Sequence, residues 1–391
     1  MNIPFLFPRL AFLCAMLFAP SAIAADACKI DRLPADKIVV EVKRPQDLGN
    51  AASASKDKAQ LKDIVVFRSV TTAPGAPASP LPIPPECASK LVLFINGLAV
   101  ADVHPLRESP LTFILNRTEK SNEIWRLLLG WPIVGDVRNL TVGFGLPDGP
   151  ALYSADARLE TLPGHMLFGW LVILAVLLGG FFLCAIKTSI LRDGTPDPQA
   201  PAGSKGTYSL ARTQAAWWLF VILASYMIIG VATGDFLTSI NGTAVVLLGI
   251  GAGTALGGAA VDVSKDTPKN RAATTAAKEK VSALAAGAPE GAASMADEQG
   301  REARAAAQSQ YMKLMGVSES FLKDILSDAN GVSFHRFQMV AWTLVLSAVF
   351  VEQVYENMAM PTFGPVLLGL LGLSAGTYVG LKIPEPVVPQ K

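Results

Sequence analysis

The sequence predicts a membrane α-helical bundle of five transmembrane helices, two pairs of which repeat each other in parallel, preceded by an N-terminal extracytoplasmic β-sandwich-like domain. Five long uncharged apolar runs, strand-like segments ahead of them, and a motif that recurs with an offset of 124 residues predict this fold class. The charged fraction is 17% and the mean hydropathy is +0.39. Soluble domains have about a quarter charged residues, so this composition agrees with a membrane protein.

Residues 1–24 are predicted to form a signal peptide. Arg9 precedes the apolar core 10–18, and small residues occupy the cleavage positions Ala22 and Ala24. A helix as short as this core rises about 14 Å, less than half the thickness of a bilayer core. We therefore expect cleavage, with an uncleaved anchor as the alternative.

Two cysteines, Cys28 and Cys87, lie in the segment that follows the signal peptide. A secreted segment folds in an oxidising compartment, so we expect these two to form a disulfide. Closing such a loop stabilises a fold by about 4 kcal/mol by loop-entropy arguments. The sequence has none of the Cys and His spacings of zinc sites, and we expect no metal, cofactor or catalytic residue.

Residues 25–163 are predicted to form the β-rich domain. Asn96 and Gly97 stand between two apolar runs and indicate a tight hairpin, because both positions of a type I′ turn need positive φ. A short helix, 121–129, is expected to turn Ile124, Leu127 and Leu128 towards the core. About six strands with turn residues between them suggest a small sandwich. The predicted strands are 37–43, 63–70, 91–95, 98–103, 111–115 and 139–144.

Five apolar runs follow, most of them near the ~20 residues that a helix needs to cross a bilayer. The fourth is the shortest, and Glu352 and Glu356 follow it, so we expect that helix to leave the membrane early. No Asp, Glu, Lys, Arg or His lies near the middle of a run, which argues against an ion-coupled pump. The runs are 167–186, 213–233, 243–261, 337–351 and 363–381.

Lysine and arginine residues beside the runs predict the orientation. They occur between the first and second runs, between the third and fourth, and in the tail, whereas the loops 234–242 and 352–362 contain none. Positively charged loops stay on the cytoplasmic side. We therefore expect a multi-pass protein of the cell inner (plasma) membrane, with its N-terminal domain periplasmic and its C-terminus cytoplasmic.

The recurring motif predicts two copies of one helix pair. Since each pair would begin and end in the cytoplasm, the copies are parallel and related by an axis along the membrane normal. We expect the serines to cap helices, the arginines to reach lipid headgroups and the glutamines to bond between helices; a lipid- or ligand-binding polar surface is the alternative. The positions are Ser209, Arg212, Gln214, Trp218, Ser333, Arg336, Gln338 and Trp342.

Glycines spaced four apart recur in the second helix of each pair. Residues at this spacing share one helix face, and glycine lets another helix approach closely. We expect the two faces to pack against each other inside the monomer; contacts between subunits of an oligomer, including one around a pore, are the alternative. The glycines are Gly249, Gly253, Gly257, Gly372, Gly376 and Gly380.

The predicted parts follow one another along the chain without overlap. They are the signal peptide (1–24), the β-rich domain (25–163), the first transmembrane helix (164–192), a cytoplasmic linker (193–208), repeat 1 (209–262), an Ala-rich cytoplasmic insertion (263–332), repeat 2 (333–382) and a cytoplasmic tail (383–391).

These features predict an integral membrane protein with an outer binding domain on a duplicated helical anchor. A net charge of +1 provides no basic field for nucleic acid, and no catalytic motif supports an enzyme. The expected partners are the lipid bilayer, a second copy of the chain, and an envelope ligand or protein. An oligomeric channel or pore that is lined or packed by the glycine faces is the alternative function.

Overall fold

The computed structural model describes residues 38–47, 55–69, 81–265 and 315–383, together with Cys28 and isolated positions between 272 and 312. Within those ranges, residues 82, 101, 109, 119, 195, 197–199, 238 and 329–330 are not described. The predicted signal peptide and most of the predicted insertion lie outside the described residues.

The N-terminal part contains two four-stranded antiparallel sheets. The strands are β1 (Ile38–Lys43), β2 (Ile64–Ser69), β3 (Val92–Ile95), β4 (Leu98–Val100), β5 (Arg107–Glu108), β6 (Leu111–Ile114), β7 (Val137–Gly145) and β8 (Ala151–Glu160). One sheet has the order β1-β2-β6-β5 and the other β4-β3-β7-β8. Two short helices, α1 (Pro85–Ala88) and α2 (Asn122–Leu129), complete this β domain.

Both sheets contribute to one apolar core. The ring of Phe67 on β2 lies 5.0 Å from that of Phe144 on β7 and 6.0 Å from that of Tyr153 on β8, measured between centroids. Trp125 of α2 is fully buried in this core, and its Nε1 donates to the carbonyl of Asn116. The expected Cys28–Cys87 disulfide is present, with the two Cα atoms 5.7 Å apart.

The predicted hairpin between β3 and β4 is confirmed. Asn96 and Gly97 have φ values of 49° and 78°, as a type I′ turn requires. The prediction for α2 is correct in its bounds and wrong in one core residue. Leu127 is 68% exposed, because the buried face of the helix is formed by Trp125, Leu128 and Leu129.

Six helices follow in the described part of the C-terminal region. They are α3 (Gly164–Lys187), α4 (Leu210–Thr233), α5 (Gly242–Lys265), α6 (Phe321–Leu326), α7 (Phe334–Asn357) and α8 (Pro365–Lys382). Five of these six helices, all but α6, are long and apolar enough to cross a membrane, as the apolar runs predict. The chain is therefore a multi-span membrane protein with an N-terminal β domain.

Four of the spanning helices pack in a ring. Helix α4 contacts α5 and α7, and α8 contacts the same two helices from the other side. Helix α3 packs against α4 and leaves most of its apolar surface exposed. That exposed surface is what a helix facing lipid is expected to present.

The fourth predicted span was expected to end near residue 351, but α7 continues to Asn357. Its last turn does not enter solvent, since it packs beneath the β domain. We call this the domain end of the bundle, and the end with Lys187, Leu210, Phe334 and Lys382 the far end.

Candidate functional site at the junction of the β domain and the helices

The domain end is shaped by two helices that stop in left-handed residues. Helix α4 ends at Gly234 (φ 65°) and α7 ends at Met358 (φ 44°). The chain can turn sharply at such a residue and leave the helix axis. Both loops begin against the β domain, where Asp235 lies 4.0 Å from Lys62 and the carbonyl of Met358 accepts from Arg117.

Arg117 of the β domain binds the end of α7 directly. Its Nη1 donates to the carbonyl of Met358 (2.7 Å) and its Nη2 to that of Asn357 (2.8 Å), while Nε donates to Asn122 (2.8 Å). The last carbonyls of a helix have no partner within the helix and carry partial negative charge, so a cation stabilises them. Burial lowers the pKa of the Arg117 guanidinium, yet arginine remains a cation at neutral pH.

The segment after α2 also rests on the last turn of α7. The backbone N–H of Trp131 donates to the carbonyl of Tyr355 (2.8 Å), and Arg126 pairs with Glu356 at 3.6 Å. At Gly130 an added Cβ would lie 2.6 Å from the carbonyl oxygen of Glu356. Only a glycine allows the two backbones to approach this closely.

The helices also contribute to the core of the β domain. Val231 and Ala232 of α4, Leu167 of α3 and the fully buried Met358 belong to the same apolar cluster as the sheet residues. The two loops bind each other as well, because the Asn241 side chain donates to the carbonyls of Met360 and Pro361. The apolar core of the β domain thus includes residues from the ends of α3, α4 and α7, while the helices have further cores of their own.

Polar side chains join α4 to α7 within the bundle. Gln214 is buried and its Nε2 donates to Thr343 Oγ1 (2.8 Å), which is an interhelical bond of the kind expected for the motif glutamines. One turn further, Trp217 Nε1 donates to Ser347 Oγ (2.7 Å). The motif residue Trp218 is fully buried, with its ring centroid 6.0 Å from that of Phe350.

The second copy of the motif is used differently. Arg336 does not extend to the surface as expected; it is 7% exposed, and its guanidinium lies 5.5 Å from the ring centre of Tyr378. Gln338 and Trp342 are half-buried, and within the described part of the chain neither side chain has a hydrogen bond. Arg212 in the first copy is half-buried and reaches the carbonyl of Ser189 at 3.4 Å.

The two motif serines stand at the N-cap positions of α4 and α7, as expected, but their hydroxyls do not accept from the helix. The Ser333 hydroxyl bonds to the ring of His335 instead. At Ser209 the backbone carbonyl accepts from Thr213 N–H (3.0 Å) and from its hydroxyl (2.8 Å).

The glycine faces are not placed against each other inside the monomer. A Cβ added at five of the six positions would meet no atom within 4 Å, and only Gly257 has a neighbour, Val379. A different glycine makes the close contact in α5. At Gly251 an added Cβ would lie 3.0 Å from the Cα of Ala215 on α4.

A cluster of ion pairs around the buried Lys382, at the far end, was not expected from the sequence. Lys382 at the end of α8 pairs with Asp262 of α5 (2.7 Å) and with Asp193 (3.2 Å). Both helices end at this face, which is the signal that could have suggested the pair. The described residues contain no group of His, Cys, Asp and Glu side chains that could hold a metal ion.

No family model matches the chain, and neither a curated protein nor a solved structure is significantly similar to it.

Proposed function

We propose that the β domain binds an envelope ligand or protein, while the helical bundle anchors the domain and holds it in a fixed orientation to the membrane. The main support for this proposal is the packed junction between the β domain and the ends of the helices. A domain that is only tethered is joined to its membrane helices by a linker and makes no other contact with them. Here Arg117 binds the end of α7, and Met358 lies in the core of the domain. A force on the β domain, or a structural change caused by ligand binding to it, would therefore reach α4 and α7. The proposed role is not enzymatic.

The anchor is proposed to be a duplicated helix pair. Helices α4 and α7 have 24 residues each, begin 124 residues apart and both end in a left-handed residue. Helices α5 and α8 begin 123 residues apart, at Gly242 and Pro365. These matches, with the recurring motif, support two parallel copies within the ring of four helices.

The free end of the β domain is where a partner is expected. Strand β7 begins beside the start of α3, where Gly135 N–H donates to the carbonyl of Leu162, and the turn 146–150 lies at the opposite end of this strand. Asp148 in this turn is exposed. The orientation proposed from the positive loops places this turn in the periplasm.

Photo-crosslinking in intact cells tests the binding role. A benzophenone amino acid at Asp148 of the full-length protein is expected to give a discrete adduct with an envelope component. The same probe at the exposed Leu177 of α3 serves as the control and should give lipid adducts only. No adduct at position 148, or the same products at both positions, would contradict the proposal.

An oligomer is the second candidate, including one built around a pore. The outward-facing glycines support it, because they leave room for a helix of another copy. In that case Gly253→Leu and Gly376→Leu would reduce the mass of the particle in a native-like membrane mimic. A wild-type protein that is monomeric under these conditions would rule the oligomer out.

A further inference from the structure

A polar cavity of about 420 Å³, widely open to solvent, lies at the far end of the bundle. The linker between α3 and α4 and the segment before α6 form its walls, and its polar groups come from Arg192, Ser204, Lys205 and Ser318. Lys205 Nζ also donates to the carbonyl of Ile186 (2.8 Å) in the last turn of α3. Because α3 is a candidate membrane span, this contact places the cavity at the depth of the lipid headgroups.

Backbone hydrogen bonds hold the walls in place. Asp193 N–H donates to the carbonyl of Thr207 (2.9 Å), and Ser318 N–H donates to that of Lys205 (2.9 Å). Gly206 must be a glycine, because an added Cβ would overlap the carbonyl oxygen of Gly194. The cavity is therefore formed before any ligand arrives, which reduces the entropy cost of binding.

Arg192 is a buried cation without a carboxylate partner among the described residues. It is 6% exposed, its guanidinium lies 3.9 Å from the ring centre of Tyr208, and its Nη1 donates to the carbonyl of Gly206. Its buried Nε has no hydrogen-bond partner. A buried charge is costly unless an opposite charge and hydrogen bonds compensate it.

Among the described residues, the carboxylates close to the cavity have other partners, and Glu319 pairs with Lys323 (3.2 Å). Asp193, next to Arg192 in the chain, pairs with Lys382. Asp324 lies behind the cavity wall and accepts from Ser318 Oγ (2.6 Å) and from the backbone N–H of Tyr208 (3.1 Å). The described residues that line the cavity therefore include two cations, Arg192 and Lys205, and no carboxylate.

We propose that this cavity binds a phosphoryl group, either the headgroup of an anionic phospholipid or a soluble phosphate compound. Arginine offers donors in a planar fork that matches phosphate oxygens, Lys205 adds a second charge, and the Ser204 hydroxyl can donate. The volume is large enough for a phosphate with an attached polar headgroup. The site is independent of the function proposed for the β domain.

Equilibrium dialysis with radiolabelled inorganic phosphate, on the full-length protein in a maltoside detergent, tests the soluble form of the ligand. Native mass spectrometry with dioctanoyl phosphatidylglycerol tests the lipid form. Wild type is expected to bind one equivalent of at least one probe. Lys205→Gln is expected to weaken that binding about tenfold, since a charge-assisted hydrogen bond is lost.

Lys187→Gln is the matched control, because Lys187 is exposed at the same end of α3 and does not line the cavity. Arg192→Gln should abolish binding, provided that this variant folds. Because Lys205 is exposed, Lys205→Gln tests the proposal even if Arg192→Gln does not fold. Binding of phosphate alone would identify a soluble ligand, and binding of the lipid alone a headgroup. Binding of neither probe, or equal weakening by Lys187→Gln and Lys205→Gln, would overturn the proposal.

Discussion

The residue that most directly joins the two parts of the molecule is Arg117. It comes from the β domain, and its two carbonyl acceptors lie 240 and 241 residues later in the chain. Nothing in the local sequence marks this arginine among the others, because its role depends on where a distant helix ends. Cys28 and Cys87 could be paired from the sequence because they share the segment after the predicted signal peptide.

Arg117→Gln is expected to lower the free energy of unfolding of the full-length protein by about 1.5–3 kcal/mol, the range for hydrogen bonds to charged groups. The carbonyls of Asn357 and Met358 would lose their donors. Denaturant unfolding in micelles, followed by tryptophan fluorescence, measures the loss. Arg107→Gln, at an exposed arginine of β5, is the control. Equal stability of the two variants would contradict this role.

The environment of Tyr153 leads us to expect that the β domain loses stability at alkaline pH. Its hydroxyl donates to the carbonyl of Ile38 (3.1 Å), and burial raises its pKa above the usual value of about 10. The contribution of Tyr153 to the free energy of unfolding is complete at pH values below its pKa in the unfolded chain. It is lost as the pH rises through its pKa in the folded protein, because the tyrosine ionises first in the unfolded chain.

We therefore expect the free energy of unfolding to fall less steeply above pH 10 in Tyr153→Phe than in wild type. Denaturant titrations between pH 8 and pH ~11.5 measure the two slopes. Parallel slopes would show that Tyr153 does not contribute.

At the scale of elements, the loop after α2 exposes three large apolar side chains to solvent. Trp131, Ile133 and Val134 are 59%, 71% and 60% exposed. The loop lies beside the start of α3, with Val134 Cγ1 3.6 Å from where a Cβ of Gly164 would be, and beside the end of α7. Exposed apolar side chains at the domain end of the spanning helices are expected to enter the bilayer interface, where tryptophan is favoured.

A spin label at Ile133→Cys, in a Cys184→Ala background and in liposomes, tests that placement. The label is expected to collide more with oxygen and less with a water-soluble nickel complex than the same label at Asp148→Cys. Equal accessibility to the nickel complex at both positions would place the loop in water.

The glycine faces show what a sequence pattern can and cannot predict. The spacing identifies which residues share a face, but the partner of that face depends on the packing of the whole bundle. Gly251, outside the repeated pattern, is the glycine that faces α4. The same limit applies to Arg336, which the pattern placed at the surface and the bundle buries against Tyr378.

Gly251→Leu is accordingly expected to lower the thermal unfolding temperature of the monomer by several degrees, because α4 and α5 must separate to admit the side chain. Gly253→Leu, two residues away, should have little effect on the monomer, since its side chain enters open space. Thermal unfolding in detergent compares the two variants. Equal losses would contradict the assigned faces.

At the scale of the whole molecule, long uninterrupted apolar runs predicted the five spans, and β-branched runs with the Asn96-Gly97 turn predicted much of the β domain. Strand β8 was missed, because its ten residues include no valine, isoleucine or threonine, the β-branched residues on which the other strand predictions depended. The docking of the domain on the bundle was also missed. It depends on backbone carbonyls at helix ends, which carry no sequence pattern.

We propose that the β domain stands on the outer face of the membrane and that the far end of the bundle faces the cytoplasm. Single cysteines at Ser154, exposed on β8, and at Lys205, exposed at the far end, report on the two faces in a Cys184→Ala background. With a membrane-impermeant maleimide on spheroplasts, Ser154→Cys should be labelled at once and Lys205→Cys only after permeabilisation. Labelling of Lys205→Cys in intact spheroplasts, with Ser154→Cys protected, would contradict this orientation.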